Sequence, residues 1–277
     1  MSVLGPGSLT AYWRFQRAVA KAQLAAWLPA GRRLLIDVSG PSASSAAQAA
    51  ARGHTVVRVV PGTRADTAVA HGPILAGRDG RRKPHRAPWR PGAPARPGPP
   101  PGLVTPVVAE PGSLAFLADG CADGVIAEDG ALSRQLMAED LAADIARVLR
   151  PGGQLLACVD SLVLGMAILA EQHHWAQLTD VPHAEVVLVP WPDGTITRCF
   201  GPGQLADLLT EAGLEVSWIR PRTILSPSMV DHVLGREPGA LARLVKAELS
   251  AGQDPLAGTS LDESFGISLL AAARKPR

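Results

Sequence analysis

The chain has 277 residues, of which 47% are hydrophobic, so it can bury a sizeable core and is not disordered as a whole. A formal net charge of +2 predicts no strong attraction to nucleic acid or to an anionic membrane. Its three cysteines, Cys121, Cys158 and Cys199, lie far apart and form no CxxC pair, which argues against a disulfide framework and against a zinc site.

No targeting or membrane segment is predicted. The N-terminal stretch lacks the continuous apolar core of a signal peptide, and the longest apolar run, "LVLGMAILA", is too short to span a bilayer. We therefore expect a soluble cytoplasmic protein.

The first predicted elements form a βαβ unit behind an N-terminal helix. Apolar residues at mixed three and four residue spacings predict an amphipathic helix over residues 9 to 28, stopped at Pro29. The buried-strand pattern "RLLIDVSG" follows, then a helix of small residues closing at Gly53, then the strand "TVVRVV". This order predicts two parallel strands joined by a right-handed crossover.

A basic insertion interrupts the pattern at residues 76 to 102. It contains eight prolines and seven of the 27 basic residues, with no periodicity, and so predicts a disordered loop with polyproline character. The other 250 residues carry 20 basic and 24 acidic side chains, so the folded part is mildly acidic.

Strands alternate with helices through the rest of the chain. The further predicted strands are "VTPVVAE", "ADGVIAED", "QLLACVD", "EVSWIRP" and "GISLLAAARK", and the predicted helices cover residues 138 to 149, 161 to 178, 201 to 213 and 238 to 250, with a hairpin around Asp193 and Gly194. Seven such strands predict a doubly wound, mostly parallel α/β sheet with helices on both faces, in a single domain of residues 1 to 277.

Four segments, in this order, resemble the class I S-adenosylmethionine-dependent methyltransferases. They are the acid-ended strand and loop at residues 37 to 43, "ADGVIAEDGALS" at 122 to 133, "LRPGGQLL" at 149 to 156 and "FGPGQLADLLTEAGLEV" at 200 to 216. The resemblance implies a Rossmann-like fold, S-adenosylmethionine as cofactor, and transfer of its methyl group to a small-molecule acceptor.

The resemblance also implies a set of cofactor-binding residues. They are Asp37, Ser39, Gly40, Ser42, Glu110 and Glu128. In the family, the loop after the first strand cradles the cofactor, an acid near Glu110 contacts the adenine amino group, and the Glu128 region lines the methionine end or the substrate. Residues 160 to 200 would form the substrate cover.

Two departures from the family pattern weaken the expected cofactor site. The three loop glycines of the family correspond to Ser39, Pro41 and Ala43, and Pro41 has a fixed φ and no amide donor. The acid that grips the ribose hydroxyls corresponds to Val60, which cannot accept a hydrogen bond.

Structural alternatives exist for several of these polar residues. Asp37 could instead cap the next helix, and the serines at positions 42, 44 and 45 predict helix caps, with Ser45 and Gln48 matching a capping box. Glu128 could belong to a solvated loop pair. His173 and His174 predict helix-surface residues and no metal site, whereas Asp160, at the end of a strand, is better placed to face a ligand.

Three functions therefore stay open. The first is a methyltransferase for a small molecule, and the second is a catalytically inactive, methyltransferase-like binding or partner subunit, as Pro41 and Val60 suggest. The third is a nucleic-acid-modifying enzyme that uses the basic loop, which is disfavoured because Trp89 is the loop's one aromatic residue. The sequence is also compatible with a homodimer.

Overall fold

The computed structural model describes residues 10 to 40, 42 to 62, 102 to 191, 193 to 251 and 266 to 277. Pro41 and nearly all of the predicted insertion at residues 76 to 102 lie outside the described residues. The predictions made for them stay predictions.

A seven-stranded sheet forms the centre of the fold. The strands of the chain are β1 (Leu34–Asp37), β2 (Thr55–Pro61), β3 (Val104–Ala109), β4 (Ala122–Ala127), β5 (Leu149–Asp160), β6 (Val187–Pro190), β7 (Ile196–Cys199), β8 (Glu215–Arg222) and β9 (Ser268–Arg274). The sheet order is β3-β2-β1-β4-β5-β9-β8, and β6 pairs with β7 as a separate hairpin. Neighbouring strands are parallel except where β9 runs antiparallel between β5 and β8. The predicted doubly wound, mostly parallel sheet is confirmed.

Helices cover both faces of this sheet. They are α1 (Thr10–Trp27), α2 (Ser44–Ala51), α3 (Ala138–Val148), α4 (Leu162–Glu171), α5 (Trp175–Asp180), α6 (Pro202–Glu211), α7 (Pro227–Arg236) and α8 (Leu241–Ala251). Apolar residues of α1 and α2, such as Leu24 and Ala46, pack in one buried cluster, and those of α3 and α6, such as Ile145 and Leu205, pack in another. None of the helices in the described ranges is long and apolar enough to cross a membrane.

Two local predictions were wrong, and one helix was missed. The helix predicted over residues 161 to 178 is two helices, because His173 adopts a left-handed backbone (φ 62°) that ends the first one. Helix α7 was not predicted at all. The capping box is absent because α2 begins at Ser44, which places Ser45 inside the helix, while the Gln48 side chain donates to the Lys21 carbonyl of α1.

The strand order locates the ligand crevice of the fold. The chain runs from β1 outward to β2 and β3, then returns to β4 on the other side of β1. In open α/β sheets ligands bind outside the carboxyl ends of the strands at such a reversal. The loops after β1 and β4 are therefore the natural place for a site.

Candidate functional site

Asp37 ends β1 as a buried carboxylate, 1% exposed. Its Oδ1 accepts a hydrogen bond from the Ser39 amide at 2.9 Å, while Oδ2 has no hydrogen-bond partner among the described residues. Burial raises the pKa of this carboxyl, against the opposing effects of Ser39, Arg58 and the Ala46 amide. The nearby Ala46 amide, at the start of α2, is what the capping alternative predicts, so both roles remain compatible with the geometry.

Gly40 provides the turn that follows. Its φ of +105° is a backbone conformation that only glycine adopts without strain, and its carbonyl accepts from the Arg58 guanidinium at 3.2 Å. A Cβ at this position would lie 2.5 Å from Nη2 of Arg134. The glycine that the sequence places one position away from the family pattern is thus the residue that allows close approach to the backbone.

Glu128, just after β4, forms hydrogen bonds with this loop and with the end of the edge strand β8. Its amide donates to the Ser39 hydroxyl at 3.0 Å. Its carboxylate accepts two hydrogen bonds from Arg222, at 2.6 and 2.9 Å, and each side chain of the pair is 4% exposed. Arg222 also donates from Nε to the Gln23 side chain of α1 at 2.6 Å. A ligand at this point meets a neutralised ion pair.

A small cavity lies on the β2 and β3 side of the loop. Its volume is about 50 Å³. Among its lining residues are Gly40, Val59, Pro61, Glu110, Gly112 and Arg134. Because side chains alternate along a strand, Val59 and Pro61 reach the cavity and Val60 does not line it. The side chains of Val59 and Pro61 cannot accept a hydrogen bond.

A second, larger cavity of about 830 Å³ lies between α1 and α2. It extends to Glu128 and Asp129 at the carboxyl edge of the sheet. Six alanines line it along the two helices, and Arg17, Lys21 and Arg52 are also on its walls. Asp129 has a left-handed backbone (φ 54°), and burial, then the neighbouring Glu128, raises the pKa of its carboxyl. The two cavities flank the loop at residues 37 to 44.

Asp160 ends β5 near the same edge. Burial raises the pKa of its carboxyl to about 6, while the positive charge of Arg134 opposes that shift. Its amide donates to the Ser133 hydroxyl at 2.8 Å. Within the described ranges there is no group of three His, Cys, Asp or Glu residues that could hold a metal ion.

The structure brings most of the predicted residues together. Gly40 and Glu110 line the smaller cavity, Glu128 lines the larger one, and Asp37 and Ser39 lie in the network between them. Ser42 is exposed, and its hydroxyl forms a hydrogen bond with the Ser44 hydroxyl at 2.9 Å. The N-cap of α2 is Ala43, which makes no side-chain cap hydrogen bond, so the prediction that these serines cap the helix was wrong. Ligand contacts for these residues stay predictions.

Three residues of the site were missed by sequence reasoning: Arg134, Gln135 and Arg222. The first two lie in a short stretch without regular structure, and the third is the last residue of β8, just beyond the part of the chain that the resemblance covers, about residues 9 to 220. Only Arg222 had a signal in the sequence, as a charged residue at the carboxyl end of a strand.

The sequence matches no family model and no curated protein. Comparison of the structure finds many similar solved structures. One is a protein from Listeria monocytogenes assigned as an S-adenosylmethionine-dependent methyltransferase, with a TM-score of 0.56 and 12% identity over 95% of this chain and 100% of that one. An S-adenosylmethionine-dependent methyltransferase from Methanosarcina mazei gives a TM-score of 0.51 and 15% identity over 91% and 97%.

A third similar structure contains ligands. It is the 1,6-didemethyltoxoflavin-N1-methyltransferase of Burkholderia thailandensis with bound 1,6-didemethyltoxoflavin and S-adenosylhomocysteine. Its TM-score is 0.50, with 16% identity over 96% of this chain and 81% of that one. At these identities the comparisons establish the fold of the chain.

Proposed function

Since the chain has the fold of the class I S-adenosylmethionine-dependent methyltransferases, we propose that it binds S-adenosylmethionine at the loop of residues 37 to 44 and transfers the methyl group to a small-molecule acceptor. When bound, the cofactor supplies a methyl group activated by a sulfonium. The protein's own residues hold it, orient it against the acceptor and exclude water.

The observation that carries this proposal is the unpartnered Oδ2 of Asp37. A buried carboxylate oxygen without a partner is unfavourable, and a ligand ammonium would satisfy it. Gly40 lies in the same loop, and its backbone face, which the Arg134 guanidinium covers in this structure, would let a ligand approach closely once that side chain moves. These two features fit the amino-acid end of S-adenosylmethionine.

The adenosine end is less well provided for. Glu110 and Gly112 line the cavity after β3, where an adenine would lie, but β2 offers Val59 and Pro61 in place of a ribose-binding acid. We therefore expect weaker cofactor binding than a complete site would give.

The transfer itself needs little from the protein beyond position. An acceptor that is already unprotonated requires no base. For a protonated acceptor, Asp160 is the proposed proton acceptor, because it ends β5 at the carboxyl edge of the sheet and burial raises the pKa of its carboxyl to about 6.

Calorimetric titration with S-adenosylmethionine and S-adenosylhomocysteine tests the proposal. We expect binding by the unaltered chain and, in Asp37→Asn, a loss of affinity of roughly tenfold to a hundredfold, because a hydrogen bond to a charged group is worth about 1.5 to 3 kcal/mol. Asp207→Asn, at an exposed position on α6, is the matched control and should leave affinity unchanged. Absence of binding at millimolar ligand would contradict the proposal.

A second candidate function is a methyltransferase-like subunit without catalytic activity. It is favoured by the size of the smaller cavity, about 50 Å³, against roughly 300 to 1,000 Å³ for typical ligand pockets. The side chains of Arg134 and Gln135 line this cavity, and their ends lie against Gly40 and Gly112. Failure of both cofactor titrations, with a folded protein, would favour this candidate.

A further inference from the structure

Two consecutive side chains cover the glycines of the proposed cofactor crevice. The Arg134 guanidinium donates to the Ser39 carbonyl at 3.0 Å and to the Asp129 carbonyl. It also lies against the side of Gly40 where any other residue would carry a Cβ. The Gln135 amide group covers Gly112 in the same way, with its Cδ 2.8 Å from where a Cβ would be. The backbone faces that a ligand would need are thus already in contact with the chain itself.

Both contacts are made by the ends of flexible side chains. Arg134 is otherwise exposed, so a change of rotamer can move its guanidinium away without moving the backbone. Its two hydrogen bonds go to carbonyl oxygens that water can satisfy once the crevice opens. The covering is therefore reversible at modest cost.

Residues 133 to 139, which we term the gate segment, are held at both ends by Arg198 of strand β7. The Arg198 amide donates to the Ser133 carbonyl at 2.7 Å, and its guanidinium pairs with Glu139 at 2.6 Å. Arg198 is buried, 6% exposed, and its guanidinium lies 4.9 Å from the centre of the Phe200 ring. The β6–β7 hairpin thereby fixes the segment from which Arg134 and Gln135 project.

We propose that the side chains of Arg134 and Gln135 occupy the cofactor crevice when no ligand is bound. We further propose that the contacts made by Arg198 of the β6–β7 hairpin control how easily these side chains leave it. This inference rests on the proposed function, since it describes how access to that site is regulated. Ligand binding requires both side chains to swing outward, and loosening the gate segment favours the open arrangement.

A thiol-labelling experiment tests the gate without any ligand. Val38 lines the smaller cavity, so Val38→Cys places a reporter beneath Arg134. Its rate of reaction with iodoacetamide should rise about tenfold when Arg134→Ala is added, as expected if the open state gains about 1.4 kcal/mol. Glu139→Gln, which removes the ion pair at a surface residue, should raise the rate in the same direction.

Two controls accompany the labelling. Arg236→Ala, at the exposed end of α7, should leave the rate unchanged, and the chain without Val38→Cys gives the background from Cys121, the half-buried native thiol. Equal labelling rates with and without Arg134→Ala would show that Arg134 does not cover the crevice. An unchanged rate in Glu139→Gln would show that the contacts of Arg198 do not control access to it.

The second measurement is calorimetry with S-adenosylhomocysteine. The Arg134→Ala/Gln135→Ala variant should bind about tenfold more tightly than the unaltered chain, because no internal group has to be displaced. Weaker binding would identify Arg134 as a ligand contact and overturn the proposal. If no variant binds S-adenosylhomocysteine, the proposed function fails, while the labelling rates still decide whether the crevice is gated.

Discussion

Replacing Arg222 by methionine is expected to lower the free energy of unfolding by about 3 to 5 kcal/mol. The substitution leaves Glu128 as a buried carboxylate whose two oxygens have lost their donors, and it removes the hydrogen bond to Gln23. The penalty is that of an uncompensated buried charge and exceeds what the pair itself contributes. Urea unfolding followed by circular dichroism measures it.

A double-mutant cycle separates these two quantities. Glu128→Met/Arg222→Met should be far less destabilised than either single variant, because no unpaired charge remains in the interior. Arg274→Met is the matched control, since it breaks the exposed pair with Glu215 and should change stability by less than about 1 kcal/mol. A loss in Arg222→Met no larger than in this control would contradict the argument.

The ion pair also fixes the geometry of the crevice. It joins the ends of β4 and β8 to α1, and the residues that follow its two members, Asp129 and Thr223, both have left-handed backbones (φ 54° and 63°). Thr223 is β-branched, for which this conformation is a clear outlier. Such strain persists only where surrounding contacts hold it, and two of the residues involved, Glu128 and Asp129, line the larger cavity.

Much of the sheet was predictable because its physical signals are local. Buried parallel strands read as short apolar runs, and helix ends were marked by Pro29, Gly53 and Gly213. The break at His173 was not predictable in this way, because a non-glycine residue with positive φ leaves no composition signal. Helix α7 did carry a local start signal that the sequence reasoning did not use, namely Ser226 as N-cap, whose hydroxyl accepts from the Met229 amide, and Pro227 at the first helical position.

The candidate site was predictable only in its local part. Asp37, Ser39 and Gly40 belong to one loop, so their neighbourhood follows from the sequence order. Arg134 and Arg222 meet that site across 95 and 94 positions, to Ser39 and Glu128, and no pattern of nearby residues encodes such contacts. The pleat of β2 decides which side chains enter the cavity. An ungapped alignment with the family pattern points to Val60, whereas Val59 and Pro61 are the residues of β2 that line the cavity.

The second large effect is expected at Asp160. Its carboxyl titrates near pH 6 in the folded chain and near 3.8 when unfolded, so the folded state binds more protons between those values. Stability should fall as pH rises through this window and stay lower above it. Asp160→Asn removes the penalty and should stabilise the protein by up to about 3 kcal/mol at pH 8, with no gain at pH 3.

Unfolding curves at both pH values, with Asp207→Asn as the control, measure this difference. A gain of the same size at pH 3 and pH 8 would show that the effect does not come from ionisation.

Arg134 adds a sharper test, because its positive charge lowers the pKa of Asp160 while it occupies the crevice. In an Arg134→Ala background the pKa of Asp160 should rise further, and Asp160→Asn should stabilise more at pH 8. The ionised carboxylate of Asp160, beside Arg134, lowers stability at pH 8, and an asparagine at this position would avoid that penalty. A residue retained at a cost to stability is expected where a protein binds a ligand or transfers a chemical group.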